Sequence, residues 1–366
     1  MPRAARKTHE AQHLYWLFTM ILREQVRLAP LTTLGVGGPA QYFVEATTVA
    51  EVREGLEFAK DRNLPEFVLG GGSNVVVADE GFAGLVLKIS LRGIESHNHV
   101  KFRFYRVAAG EEWDPFVARA VEEGCAGVEC LSGIPGTVGG TPVQNVGAYG
   151  QDVSETIVGV KTINRHSLEV VDFNPVQCAF GYRSSMFHST AEQRYVILSV
   201  EFRLRRDGAP TLTYPDVRRA LGSVAEPSLR QVRDAVLGIR RSKSMVLDPD
   251  DENSHSAGSF FKNPIVTQRK YDTIAEKAQL RNLAMPSYPA GDGWRKLPAG
   301  WLVEHAGFAK GYTRGAVGIS SRHSLAIVNR GGATAADIVA LKDDIQARVR
   351  NEFGIELEPE PVFVGF

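Results

Sequence analysis

LGGGSN, residues 69 to 74, follows directly on the apolar run EFV and leads directly into VVVAD. A strand that enters Gly70, Gly71 and Gly72 and leaves through Ser73 and Asn74 puts unobstructed N–H groups and two polar side chains on one turn, a geometry suited to a pyrophosphate. A tight β-turn needing positive φ is the plainer alternative. GIPGTVGGTPVQNVGAYG, residues 133 to 150, weighs against it, because its first eight residues hold four glycines and Pro135. Hairpins do not need so much exposed backbone. Two such loops, with GVGGPA at 35 to 40 as a third glycine cluster, favour a dinucleotide. Neither is GxGxxG opening a helix, nor GxxxxGK followed by Ser or Thr, so a Rossmann NAD site and a P-loop are disfavoured.

Working outward, the 366-residue length predicts two or three domains. Charge is balanced, 42 Lys+Arg against 42 Asp+Glu, so no global field favours nucleic acid or an anionic membrane. Any anionic ligand must be met by local cations. Cys125, Cys130 and Cys178 match neither a disulfide framework nor a paired metal site, and read as free thiols in a reducing cytoplasm. The histidines show no metal-ligand spacing. MPRAARK and HLYWLFTMIL look like the start of a signal peptide, but the chain runs on into REQVR without a small-residue cleavage site. No segment reaches the roughly 18 uninterrupted apolar residues of a spanning helix. Residues 1 to about 24 read as a helical extension, with a spurious start upstream of Met20 as an alternative, and the protein as soluble and cytoplasmic.

The chain from 25 to 206 alternates short β-rich runs with amphipathic segments, the pattern of mixed α and β structure. QYFVEA, EFVL, VVVAD and GLVLKI predict strands, and 49 to 63 predicts a helix. FRFYRVAAG, VGVKTIN and YVILSVEFRLR predict strands of a second lobe around a helix in EEWDPFVARAVEEG. The lobes divide near residue 90. A boundary is placed at 206 to 211, with 207 to 366 as a C-terminal domain. There SLRQVRDAVLGIRRSK is a helix, DPDDENSHSAGS an exposed loop, and ATAADIVALKDDIQARVRNEFG a helix capped by Thr334. IELEPEPVFVGF is a strand broken by Pro359 and Pro361, with Glu360 at the bend.

LGGGSN, GIPGTVGG, QNVGAYG, FGYRSSMF, GSFFKNP, AGWLVEHAGFAKG and EPEPVFVG, in that order, resemble the UDP-N-acetylenolpyruvoylglucosamine reductase (MurB) family over residues 27 to 366. The resemblance implies an α+β fold: a two-lobed FAD-binding domain of the vanillyl-alcohol oxidase (PCMH) type and a C-terminal α+β domain that closes over substrate. It implies FAD as bound cofactor, NADPH as co-substrate, a UDP-sugar as substrate and a monomer. Gly70 to Asn74, with Gly133, Ile134, Pro135, Gly136, Thr137, Gly139 and Gly140, would contact the FAD pyrophosphate and ribityl chain. Asn145, Gly147 and Tyr149 would line the flavin face.

The resemblance also implies the reacting groups. Arg183 would bind the substrate carboxylate and steady the enolate, where a surface ion pair is the bland alternative. Glu360, otherwise a solvated charge, would act beside it, and opposite an enolate its carboxyl should have a raised pKa. Ser259, by itself a turn or cap residue, would donate the proton. Lys243, Asn263, Tyr149 and Tyr214 would contact the UDP part, with Arg240 plausible by position and Tyr214 on a loop found in the longer class of these enzymes. Ser184 stands where the family has Asp, and His305, implied as a further substrate-binding residue, where it has Gln. A flavin alcohol oxidase of the same superfamily and a non-catalytic FAD or UDP-sugar binding protein are the competing readings.

Overall fold

The structure is a computed structural model that describes residues 20–188 and 194–366. The first lobe is a four-stranded sheet in the order β1-β2-β5-β3, with β1 Leu22–Arg27, β2 Pro39–Ala46, β3 Glu66–Leu69 and β5 Phe82–Ile89. Helix α1, Val49–Asp61, starts at a Thr48 capping box in which Thr48 Oγ accepts the Glu51 N–H at 3.2 Å and Glu51 accepts the Thr48 N–H at 3.0 Å. Its Val52, Leu56 and Ala59 share a core with Leu85 and Leu87 of β5.

The N-terminal helical reading needs correction. Residues 1 to 19 lie outside the described residues, but Leu22–Arg27 is a strand, paired antiparallel with β2 from Leu22↔Val44 to Arg27↔Pro39. Inter-strand hydrogen bonding outweighs the local pattern there. The glycine turn at 70 to 74 is also no hairpin. Its incoming strand β3 pairs in parallel with β5, whereas the outgoing β4, Val75–Val77, pairs in parallel with the last strand of the chain, β20, Val362–Val364.

The second lobe is an antiparallel sheet in the order β12-β11-β13-β7-β6, made of β6 Ile94–His99, β7 Phe102–Ala108, β11 Ile157–Asn164, β12 Val170–Phe173 and β13 Tyr195–Arg206. Short strands β8 Cys125–Ala126, β9 Gly147–Ala148 and β10 Gln151–Asp152 lie in its connections. Helix α2, Trp113–Glu122, buries Trp113 and Phe116 against Phe202 of β13, with ring centroids 5.0 to 5.9 Å apart, and Trp113 Nε1 donates to the Leu131 carbonyl at 3.0 Å. One apolar core joins the two lobes, and Phe43, Leu69 and Val86 of the first sheet pack in a second cluster with Val364.

After Arg206 come α3, Pro215–Leu221, and α4, Leu229–Ser242. They pack on the second lobe: Val217, Val232 and Val236 cluster with Cys130, and Arg233 holds Asp114 of α2 in two hydrogen bonds of 2.6 and 2.8 Å. The change of core therefore falls later than the end of β13, between Ser242 and Ala257. From Ala257 onward a separate core forms around α6, Ala299–His305, and α7, Ala335–Phe353, and takes in Leu34, Val36 and Val76 of the first lobe. Around it lie β14 Ile265–Thr267, α5 Gln268–Gln279, β15 Tyr288–Pro289 and β16 Trp294–Lys296, then the hairpin strands β17 Thr313–Arg314, β18 Val317–Ile319 and β19 Ile327–Asn329. The 248 to 259 stretch is the exposed loop expected only in part: 248 to 250, Glu252 and His255 are exposed. Asn253, Ser254 and Ser256 are buried, and Asn253 Oδ1 accepts the Ser321 N–H at 2.9 Å while Thr33 Oγ1 donates to the Ser256 carbonyl at 2.6 Å. Its polar residues are spent on internal hydrogen bonds.

Candidate active site

The two glycine loops meet backbone to backbone. A methyl group on Gly71 would lie 2.6 Å from Gly136 Cα, one on Gly70 2.9 Å from Thr137 Oγ1, and one on Gly136 2.9 Å from Ser73 Oγ. Only glycine allows that approach. Ser73 Oγ donates to the Pro135 carbonyl at 3.1 Å, and the Gly139 N–H to Ala109 at 2.9 Å, while Gly140 faces open space. The Gly133 N–H donates to Asp114 at 2.6 Å. Burial would raise the Asp114 carboxyl, but the Arg233 and Gly133 hydrogen bonds hold it below the usual range.

Arg240 reaches the same loop from α4. It is buried, donates through Nη2 to the Met245 carbonyl at 2.6 Å, and its Nε has no partner among the described residues although it lies 3.4 Å from where a Gly133 methyl group would sit. A buried cation with an unused donor beside a glycine loop fits a pyrophosphate. Tyr149 and Asp114 lie close enough to offset part of the cost of burying its charge. Burial together with Lys243, Lys310 and Arg240 pushes the neighbouring His323 imidazole down to about 4. The neutral chain thus assembles a local positive region.

Arg183 sits on a turn in the left-handed region, φ +52°. Asn145 Nδ2 fixes that turn by donating to the Gly181 carbonyl at 3.0 Å, and Ser185 Oγ donates to Val143 at 2.7 Å. Asn145 Oδ1 accepts the Ser154 N–H at 3.1 Å, so its side chain braces the loop. Arg183 Nη2 donates to the Gly147 carbonyl at 2.7 Å and Nε lies 3.7 Å from the Glu360 carboxyl. Those two partners orient the guanidinium without an acid at Ser184. Glu360 arrives from the far end of the chain. Its N–H donates to the Phe260 carbonyl at 2.9 Å, the Lys262 N–H donates to Glu358 at 2.9 Å, and Phe261 bridges Pro359. This pairing sets Ser259 and Glu360 at one edge. Burial raises the Glu360 carboxyl, against the pull of Arg183 and Lys262, which is the direction expected from the sequence. Ser259 Oγ has no hydrogen-bond partner among the described residues and follows Gly258 at φ +74°.

The expected UDP contacts divide into two groups. Tyr214 caps α3, with its ring edge-on to Tyr149 at 5.4 Å, and Lys243 Nζ lies 6.0 Å from the Tyr149 ring centre and 3.5 Å from Asp216. Asn263 and His305 lie in the C-terminal unit. Asn263 Oδ1 accepts the Ala299 N–H at 2.9 Å, and Asn263 lines a cleft of about 600 Å³ with Tyr182, Ser184 and Lys262. His305 stacks on Trp301 at 4.0 Å with Nδ1 2.7 Å from the Trp301 carbonyl, so Nδ1 carries the proton that it donates there. Sequence reasoning missed Gln144, Tyr182, Lys262 and Asp216. Gln144 stood inside the quoted QNVGAYG, but nothing local showed that its amide contacts Glu360.

Comparison with known proteins agrees with this geometry. Residues 248–364 match the family model for the UDP-N-acetylenolpyruvoylglucosamine reductase C-terminal domain, and 40–172 that for an FAD binding domain. The chain is 46% identical to the UDP-N-acetylenolpyruvoylglucosamine reductase of Thermobifida fusca over 95% of this chain and 99% of that one. It is 47% identical to the protein of that name from Streptomyces avermitilis over 92% and 93% respectively. The crystal structure of the Thermus caldophilus enzyme superposes with a TM-score of 0.64 at 26% identity, covering 94% of this chain and 99% of that chain. With both family models matched in order and near full-length relatives at this identity, the chain belongs to the UDP-N-acetylenolpyruvoylglucosamine reductase family.

Proposed function

We propose that this chain is an FAD-dependent oxidoreductase that uses NADPH to reduce the enolpyruvyl ether of UDP-N-acetylglucosamine to UDP-N-acetylmuramate, a step of peptidoglycan precursor synthesis carried out in the cytoplasm. When bound, FAD supplies the hydride for the terminal vinyl carbon. Negative charge then develops on the adjacent carbon and its carboxylate, and a proton must reach that carbon. Arg183, held by the Gly147 carbonyl, binds the carboxylate and stabilises the charge. Glu360, whose carboxyl burial raises, hydrogen-bonds there when protonated without repelling the charge. Ser259 donates the proton, and a weak acid suffices because the enolate is a strong base. Lys243, Tyr214, Asn263 and His305 would hold the UDP part, and the glycine loops would hold the pyrophosphate of FAD, where Arg240 beside Gly133 would serve in place of the UDP contact that its sequence position suggested.

The observation that carries this reading is the backbone pairing of 260–262 with 358–360, which joins the segment that follows Ser259 to Glu360, whose carboxyl lies 3.7 Å from Arg183 Nε. Among the described residues no helix is long and apolar enough to cross a membrane. The test is an anaerobic absorption spectrum of the purified protein. NADPH should bleach the oxidised flavin bands, and the enolpyruvyl substrate should restore them without oxygen. A colourless protein that gains no flavin on incubation, or a reduced flavin that only oxygen reoxidises, would overturn it.

A further inference from the structure

Gln144 is buried, 8% exposed, at the point where three distant segments meet. Its Oε1 accepts from Asn74 Nδ2 at 2.9 Å, and its Nε2 donates to the Glu360 carbonyl at 2.9 Å. Asn74 Nδ2 reaches the same carbonyl at 3.2 Å. Two side-chain amides therefore close a triangle on one peptide group. On the other side, the Glu360 N–H is held by the Phe260 carbonyl, and the Val362 N–H donates to the Asn74 carbonyl at 3.0 Å. Gln144 Nε2 is also 3.4 Å from His188 Nδ1.

We propose that Gln144 is a positioning residue for Glu360: with Asn74 it clamps the Glu360 peptide to the two glycine loops, so the carboxyl is held in place beside Arg183. The inference rests on the functional reading above for what Glu360 does, but the clamp itself is a property of this chain. An amide is the group the place requires, because it accepts from Asn74 while donating to the Glu360 carbonyl. Leucine has the volume without the bonds. Glutamate accepts in both ionisation states but donates only when protonated. An error of about 1 Å in the placing of a reacting group costs on the order of 100-fold in rate. Glu360 is faced by Arg183, Lys262, Glu358 and Tyr182, so a displaced carboxyl would change its contacts with all four.

The test uses the holoprotein with Gln144→Leu and Gln144→Glu. In Gln144→Leu, hydrogen exchange of the Glu360 amide should speed up about tenfold or more while α1 keeps its protection. Reoxidation of the flavin by the enolpyruvyl substrate should slow by roughly 10- to 100-fold, with reduction by NADPH within about threefold of wild type. In Gln144→Glu, reoxidation relative to wild type should recover as pH falls and the new carboxyl gains its donor proton. Equal slowing of both half-reactions, or an unchanged Glu360 amide, would overturn the proposal. Should Gln144→Leu not fold, Gln144→Glu decides alone, and a pH-independent defect there would also overturn it. A wild-type protein that the substrate never reoxidises would sink the functional reading instead, and the exchange measurement would still judge the clamp.

Discussion

The Ser259 hydroxyl is half-buried and follows a left-handed glycine. It has no acceptor or donor among the described residues that would make it a turn cap. A structural serine in that place would normally bond its own backbone, so its freedom supports a role toward the ligand. Ser259→Ala should leave reduction of the flavin by NADPH within about threefold and slow reoxidation by substrate on the order of 10⁴-fold. Stopped-flow measurement of both half-reactions checks this, and equal loss in both would return Ser259 to a structural role. Glu360 makes a second prediction. Its carboxyl is raised by burial from the ordinary 4.5, so it ionises at a higher pH than a free carboxyl. The stabilisation linked to the neutral group is present below about 4.5 and is lost as pH climbs through the raised value. Glu360→Gln should remove that decline, measured as the melting temperature against pH, and should also abolish the alkaline limb of substrate-driven reoxidation. A variant with the wild-type profile in both would show that Glu360 does not titrate there.

At the scale of elements, the glycine loops were read for backbone approach, and the approach exists. What they approach first is each other, Gly71 against Gly136, before any ligand. Gly71→Ala would force the loops apart by its 2.6 Å contact with Gly136 Cα. Overpacking of this kind costs about 1–3 kcal/mol. Flavin retained per mole of purified protein should fall sharply, and full retention would mean that the loops have room to spare. Some elements were legible because one local signal governs them. Thr334 accepts the Asp337 N–H and Gly354 ends α7 at φ +64°, both in places the capping pattern and the terminal glycine had marked. Strand β6, IESHNH, passed unread because it lies at the edge of its sheet and is exposed at most positions, so no apolar alternation announces it.

Across the whole molecule, the last third of the chain is tied to the first lobe. Strand β20 lies along β4, Asn329 Nδ2 donates to the Leu34 carbonyl at 2.9 Å, and Asp79 accepts the first N–H groups of α7, Ala335 at 2.8 Å and Ala336 at 2.9 Å. The carboxylate thus sits at the positive end of a 19-residue helix that another unit contributes. Asp79→Ala should cost about 1–2 kcal/mol. In chemical denaturation the C-terminal unit should then unfold earlier while α1 keeps its exchange protection, and an unchanged midpoint would show the contact to be dispensable.

The amino-acid sequence by itself determined the periodic elements, the helix caps, the two glycine loops as places of close backbone approach, and the order of motifs that marks the family. Each of these depends on neighbours within a few residues, through φ preference, capping or the period of burial. Only the tertiary structure decided that α3 and α4 pack on the second lobe, that Asn253, Ser254 and Ser256 are buried, and that the strand leaving LGGGSN takes its partner from the end of the chain. It also decided what the two loops do to Glu360. Asn74 and Gln144 are 70 residues apart, and Gln144 and Glu360 are 216 apart. An amide chooses such a partner only once the chain has closed and left a buried carbonyl in need of a donor.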